Sequence, residues 1–298
     1  MDFDLTDDQK EIKRVAKELL AARSSFAKVR EAAEASEYDA ALWNELRELG
    51  WPGIAVAEEH GGQGLGAVEL AVLLEELGYA CAATPFLSTA VAAAVIQAAG
   101  TPEQQARWLP GLASGESTAG IGTSELVADG AGADVIVLID GADALLIEQP
   151  QAEAITTIDS TRRFATLSAG GDGAGEPLGA RAVARVHAAV AAEVVGICQR
   201  ALEMTLEYVK ERKQFGVPVG SFQAVSHRCA QMLLHTESGR STAYYAAWAA
   251  DADPDRLPEA AALAAAVKTS GTMRRMADSF EASATLRAGR RPHSGLLS

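Results

Sequence analysis

Between Val190 and Tyr208 the residues Val190, Val194, Ile197, Ala201, Met204 and Tyr208 recur at steps of four and three, a period that only a long amphipathic helix satisfies. The pattern predicts a helix that ends at Gly216, with Pro218 just beyond it. Ser221 is then placed to cap a following helix that carries Phe222, Val225, Cys229, Met232 and Thr236 on one face. A further alanine-rich helix is expected after Pro258. Aromatic residues make up only 5% of the chain while alanine is abundant, which favours helices packed at close distance over an aromatic-rich sandwich.

The N-terminal region is predicted to be helical too. Thr6 or Asp7 can cap a helix carrying Ile12, Val15, Ala16, Leu19 and Leu20, and a second helix carries Leu42, Leu46 and Leu49 and stops at Gly50. The run Glu58 to Gly66 has too many glycines for a regular element. Helices are expected from Ala67 to Gly78, from Pro85 to Gly100, and again from Thr101-Pro102, where threonine caps and proline sits in the first turn. From about Ser114 the pattern changes. Asp134 to Ile139 and Ala144 to Glu148 are short apolar runs on either side of the turn Asp140-Gly141-Ala142-Asp143, and Ala154 to Ile158 and Arg163 to Leu167 continue the series. A small antiparallel unit of four or five strands is expected, closed by a glycine-rich linker from Ala169 to Gly179. The domain reading is a helical segment over 1–113, a β segment with linker over 114–180, and a helical segment over 181–298.

Several functions are disfavoured by composition. The net charge of -14 sets the surface as a whole against nucleic-acid phosphates and anionic lipid. Apolar runs such as Ala90 to Ala99 fall short of the roughly 20 residues of a membrane helix, and the first residues are acidic where a signal peptide carries positive charge. A soluble cytoplasmic protein is expected. Cys81, Cys198 and Cys229 are scattered and lack CxxC spacing, so they read as small buried residues and not as a disulfide framework or zinc site. His60, His187, His227, His235 and His293 have no metal-ligand spacing, and no Gly-x-Ser-x-Gly nucleophile motif occurs. No metal is expected. The loop Gly61 to Gly66 is not followed by Gly-Lys-Ser/Thr and is read as a sharp structural connection.

Four segments carry a resemblance to a known family. They are Asp2-Phe3 with Leu5-Thr6-Asp7-Asp8-Gln9; Leu46-Arg47-Glu48-Leu49-Gly50 running into Glu58 to Gly64; Glu75-Glu76-Leu77-Gly78; and Tyr208 to Gln223, with Arg212-Lys213-Gln214-Phe215-Gly216 and Gly220-Ser221-Phe222-Gln223. Together with the order of elements, these resemble the acyl-CoA dehydrogenases. The resemblance implies a mainly α fold with a small middle β domain, here shortened, and a C-terminal helical bundle, here incomplete. It also implies FAD, which takes a hydride from the β-carbon of an acyl-CoA thioester after a carboxylate removes the α-proton, and an electron-transfer flavoprotein as the onward partner. The arginine of the Arg-x-Gln-Phe-Gly motif lies by the FAD pyrophosphate in that family. The resemblance therefore implies cofactor contacts from Arg212, Gln214 and Phe215, with Phe222 and Gln223 from the next helix. A guanidinium suits phosphate because it offers a planar fork of donors. On spacing alone, Arg212 reads instead as a surface cation at a helix C-terminus, where the dipole favours it, and it is the resemblance that turns the reading toward the cofactor.

The chain also departs from the family. The carboxylate base lies either in the C-terminal helical domain, past the end of this chain, or about 26 residues before the motif arginine, where counting back from Arg212 reaches Val186. No catalytic residue is assigned. Glu193, the nearest carboxylate, lies seven residues further along and is read as a surface or interface residue. Glu193 lies only 78 positions after Gly115, and Gly122-Thr123-Ser124-Glu125 is at best a remnant of the flavin-contacting segment. The family includes hetero-oligomers in which one abbreviated subunit lacks the base and its partner supplies it, and this chain resembles that subunit. The alternative is a scaffolding subunit, or a truncated nonfunctional product, that binds little or no FAD. From Lys268 the charge changes sign: six basic residues face two acidic ones, net +4, where residues 1 to 267 carry 20 against 38, net -18. A lost reading frame and a divergent basic tail both fit that change.

Overall fold

The computed structural model describes residues 4–167, 175–179 and 181–267. The basic tail, and the question of its reading frame, lie outside the described residues. Six helices come first: α1 (Asp7–Arg23), α2 (Phe26–Ala35), α3 (Ala40–Glu48), α4 (Ala67–Ala80), α5 (Phe86–Ala99) and α6 (Pro102–Ser114). Thr6 caps α1 and Thr101 caps α6, each in a reciprocal box with the glutamine three residues on, Gln9 and Gln104. Helix α2 is not among the elements expected from sequence, because its start is set by Ser25 as N-cap rather than by a strong apolar period.

A seven-stranded sheet follows, built from β1 (Ala119–Thr123), β2 (Leu126–Ala128), β3 (Val135–Asp140), β4 (Asp143–Glu148), β5 (Ala152–Ile155), β6 (Phe164–Leu167) and β7 (Glu176–Pro177), in the order β5-β6-β2-β1-β3-β4-β7. The expected turn at Gly141-Ala142 is present between β3 and β4, with Gly141 at a φ of +61°. The sheet has more than the four or five strands expected and is mixed rather than antiparallel, because β1 pairs with β3 in parallel, Ala119 opposite Val135 and Ile121 opposite Val137. The pairing is forced by chain path: β2 turns back on β1, and the following turn, with Asp129 and Gly132 at positive φ, returns the chain to β1's other edge. Of the glycine-rich linker, Glu176 and Pro177 pair with β4 as the edge strand β7, a place where proline's missing donor costs no ladder bond.

The remaining elements are α7 (Ala182–Glu211), a short hairpin of β8 (Lys213–Gln214) and β9 (Val217–Pro218), α8 (Gln223–Ala252) and α9 (Leu257–Val267). Among the described residues α7 is long and apolar enough to cross a membrane, contrary to the reading of the apolar runs in sequence. Its apolar faces are instead buried against α4, α5, α8 and α9. The predicted helix end at Gly216 is corrected to Glu211. Ser221 does not cap α8: its hydroxyl donates to the Pro218 carbonyl at 2.7 Å, and Phe222 stands at the N-cap without a side-chain bond.

The contact between α4 and α7 is unusually close. A Cβ placed on Gly196 would lie 1.8 Å from the Glu75 carbonyl oxygen, and one on Gly78 would lie 2.2 Å from that of Glu193. Either methyl would push the helix backbones away from each other. In an exposed helix, Gly to Ala gains about 1 kcal/mol; here Gly196→Ala is expected to lose about 3 kcal/mol, the upper range for overpacking. The urea midpoint of the variant checks this, and a midpoint at or above that of the parent chain contradicts the contact.

Candidate cofactor site at the end of α7

The helical period of α7 runs out at Glu211, and the chain reverses at once. Lys213 pairs with Pro218 and Gln214 with Val217, leaving Phe215-Gly216 as a two-residue turn with φ of +52° and +83°. A turn with both central residues at positive φ matches the twist of a hairpin, and glycine takes such a φ freely while phenylalanine does not. The strained position displays Phe215, which is 93% exposed. Its ring meets that of Phe222 edge to face at 6.3 Å. The Arg212 carbonyl accepts the Val219 N–H at 2.7 Å, which ties the base of the hairpin to the turn before α8.

Arg212 itself is half-buried, and its Nε, like the Tyr208 hydroxyl one turn earlier, is buried with no hydrogen-bond partner among the described residues. A buried donor left unpaired costs about 1–3 kcal/mol, which an acceptor arriving from outside the chain recovers. Gln214 lies half-buried on β8, and Gln223 is exposed as the first residue of α8. Because α8 has no side-chain cap, the N–H groups of Gln223 and Ala224 and the positive end of its dipole are available to an anion, while the Val225 N–H donates to the Phe222 carbonyl at 2.9 Å. The structure thus brings Arg212, Gln214, Phe215, Phe222 and Gln223 to one end of the molecule. The hairpin that presents them is not among the expected elements, although Phe-Gly between two extended pairs is its signal.

The start of α4, after the glycine-rich loop, is the opposite case. Glu69 accepts the Gly66 N–H at 2.9 Å and Asp251 accepts that of Ala67 at 2.8 Å. Carboxylates already occupy the helix end, so it offers no cradle to a phosphate.

No carboxylate stands where the alternative base would: Val186 is buried on α7. Glu193, read from sequence as a surface or interface residue, does not lie on the surface of the chain. It is buried, and Arg162, from the loop between β5 and β6, donates to it in an ion pair. Burial works against the Arg162 charge, but Glu193, Asp129 and Asp159 outweigh it and raise its pKa. Beside this pair the buried Asp129 accepts from Ser88 at 2.6 Å and from Tyr38, over whose ring Arg163 lies at 4.6 Å. The set joins the sheet to α5, α7 and the segment before α3. No local pattern announces it, since its members lie up to 155 residues apart, from Tyr38 to Glu193. Gly122-Thr123-Ser124-Glu125 forms the end of β1 and its turn into β2, where Thr123, Ser124 and Glu125 are exposed.

Residues 6–116 match the family described as acyl-CoA dehydrogenase, N-terminal domain, and residues 175–282 match acyl-CoA dehydrogenase, C-terminal domain. The chain is 34% identical over 241 residues to acyl-CoA dehydrogenase IpdE2 of Mycobacterium tuberculosis, covering 79% of this chain and 74% of that protein. The chain belongs to the acyl-CoA dehydrogenase family. Among solved structures it is similar to the Tcur3481-Tcur3483 steroid ACAD, with a TM-score of 0.81 and 26% identity over 95% of this chain and 87% of that one. The ChsE4-ChsE5 complex from Mycobacterium tuberculosis shares the fold, with a TM-score of 0.79 and 24% identity over 95% and 88%. The family is one of oxidoreductases that work with FAD. Both family matches leave out residues 117–174, the compressed sheet.

The buried polar set can be tested by substitution and by pH. Arg162→Met leaves the Glu193 carboxylate buried and unpaired, at an expected cost of about 3–5 kcal/mol, whereas Arg162→Met with Glu193→Leu recovers most of it. Equal denaturant midpoints for the single and double variants contradict the pairing. Burial raises the Asp129 pKa above its ordinary value, against the lowering effect of Ser88 and Tyr38. Above the ordinary carboxylate range the folded chain then holds a proton that the unfolded chain has lost, and stability falls as pH rises through the raised value. Asp129→Asn is expected to flatten that slope in unfolding curves taken from pH 4 upward.

Proposed function

We propose that this chain is the base-lacking subunit of a hetero-oligomeric acyl-CoA dehydrogenase, which completes an FAD site with its α7 hairpin while a second family subunit supplies the carboxylate. The observation that carries the reading is the buried, unpartnered Nε of Arg212 beside an exposed aromatic hairpin. Lys210, Lys213 and Arg228 lie on the same stretch of chain without an ion pair among the described residues, and with Arg212 they outweigh Glu207 and Glu211, so the stretch is net positive in an acidic protein. These groups fit the two negative phosphates of FAD. When bound, FAD supplies the hydride acceptor for α,β-dehydrogenation of the thioester. Arg212 and the α8 N-terminus hold the pyrophosphate, Gln214 and Gln223 offer amide donors, and Phe215 and Phe222 shield the site from water.

The partner reading has its own support. Phe215, Phe222, Val217, Leu233 and Leu234 are exposed on the hairpin and the first half of α8, with Leu234 at 63%. An apolar surface of this kind, next to a charged cofactor site, suits a subunit interface. The Tcur3481-Tcur3483 protein is a steroid ACAD, which makes a polycyclic acyl-CoA the first substrate to test. An electron-transfer flavoprotein as acceptor and a cytoplasmic setting belong to the same reading, and the free thiols of Cys81, Cys198 and Cys229 agree with a reducing compartment.

A second reading, a scaffolding subunit with little or no FAD, is favoured by the buried Val186 and the engagement of Glu193 with Arg162. Absorption near 450 nm separates the two. The chain purified alone is expected to be colourless, and the chain co-expressed with its neighbouring gene product yellow; colourless protein in both preparations favours the scaffold. In the assembled complex Arg212→Ala is expected to weaken FAD retention by about 1.5–3 kcal/mol, the worth of a charge-assisted hydrogen bond. Unchanged flavin content in that variant removes Arg212 from the site.

A further inference from the structure

A cavity of about 410 Å³ lies between α1, α2, α4 and α7, lined by none of the residues assigned to the flavin site. Two cations face it. The Arg200 guanidinium is held between aromatic rings, 4.5 Å from the centroid of Phe26 and 5.1 Å from that of Tyr79, and its Nη1 donates to the Tyr79 hydroxyl at 3.1 Å. Lys17 projects from α1 into the same space. Neither makes an ion pair among the described residues.

The nearby acids, Glu76 and Glu203, feel Lys17 at longer range, but their close contacts are with other groups. Glu203 accepts from Tyr79 and from Gln199. Burial works to raise its pKa, but Tyr79, Gln199 and, at longer range, Lys17 and Arg200 outweigh that and hold the carboxyl below its ordinary value. Glu76, in the cavity wall, pairs with Lys13 at 3.5 Å. Two positive charges thus share one recess with no acid in direct contact, in a chain whose net charge is -14. The two ring contacts and the bond to the Tyr79 hydroxyl hold the guanidinium in place in advance, so little side-chain entropy is lost when an anion meets it. Ser25 begins α2 at the cavity's edge and turns the positive end of that helix toward the same space. The rest of the wall is Ser24, whose hydroxyl donates to the Ala80 carbonyl at 3.2 Å, and the apolar Leu20, Ala21, Ala80 and half-exposed ring of Phe26.

We propose that this cavity binds a small organic anion, with its carboxylate or phosphate head between Lys17 and Arg200 and its apolar body against Leu20, Phe26 and Ala80. The recess has room for a ring or short chain behind the head, and its mixed wall favours such a molecule over an inorganic ion alone.

Calorimetric titration of the full chain at low ionic strength with benzoate, phenyl phosphate and benzyl alcohol tests this. Saturable binding is expected for at least one of the two anions and not for the alcohol, and the anion that binds identifies the head group. Lys17→Gln is expected to weaken that binding about tenfold or more, as the loss of a charge-assisted contact does. Lys17 is exposed, so this variant keeps the fold; Arg200→Gln is expected to weaken binding at least as much. Arg14→Gln removes another exposed α1 cation that does not line the cavity, and is expected to bind as the parent does. The proposal is overturned if neither anion binds saturably, if the alcohol binds as well as the anions, or if Lys17→Gln and Arg14→Gln have the same effect.

Discussion

Where α4 crosses α7, backbone meets backbone. Gly78 sits against the Glu193 carbonyl and Gly196 against that of Glu75, and no other residue type allows the approach. The position of the Phe215-Gly216 hairpin, and with it the proposed cofactor site, is referred to this contact, because α7 is the helix from which that hairpin hangs. A helix of 30 residues is about 45 Å long at 1.5 Å per residue, so a small change in its tilt would move its far end considerably. The close crossing fixes that tilt. The abundance of alanine has the same meaning, since small side chains let the neighbours of α7 approach closely and dispersion then acts over many atoms.

Polar pins complete what the glycines begin. Glu75, on the turn of α4 that faces Gly196, is buried and accepts from Lys13 of α1 at 2.7 Å, Arg240 of α8 at 3.0 Å and the Tyr244 hydroxyl at 2.6 Å. Burial alone would raise its pKa, but Lys13, Tyr244 and Arg240 outweigh that and hold the carboxyl below its ordinary value. One side chain thereby joins three helices around the crossing. Arg162 and Glu193 do the same between the sheet and α7. Such pairs contribute little net stability against an apolar core, but they tolerate no loss of one partner and so specify one arrangement.

Legibility in the sequence follows the range of the forces involved. The long period of α7, the threonine caps of α1 and α6 and the β3–β4 turn are local, and sequence alone places them within a few residues of where they stand. The buried ion pair is not local, because nothing near Glu193 in sequence announces that Arg162 will reach it. Its two members are brought together only by the sheet's docking on α7. Ser221 misleads for a different reason: a serine before an apolar helix is a good cap, but the Phe215-Gly216 reversal directs its hydroxyl to Pro218 instead. The mixed sheet escapes a sequence reading because alternation identifies strands but does not show which edge a returning strand will take. For the site, the motif is legible and its presentation is not. The residues around Arg212 can be named, while the hairpin and the positive φ of Phe215 follow only from the chain ending α7 early.

Two helix starts of this chain differ in how their first N–H groups are met. At α4, Glu69 and Asp251 satisfy the first N–H groups, and that helix serves the core. At α8 no side chain does so, the nearest guanidinium has a buried donor without a partner, and two aromatic rings stand in the open. A folded chain rarely leaves buried donors unpaired and large apolar rings exposed in one place unless something else completes them. The same chain commits Glu193, one of several buried carboxylates, to an internal pair and places a valine at position 186. Under the proposed reading the chain offers positive charge and aromatic cover, and the proton acceptor comes from the partner subunit.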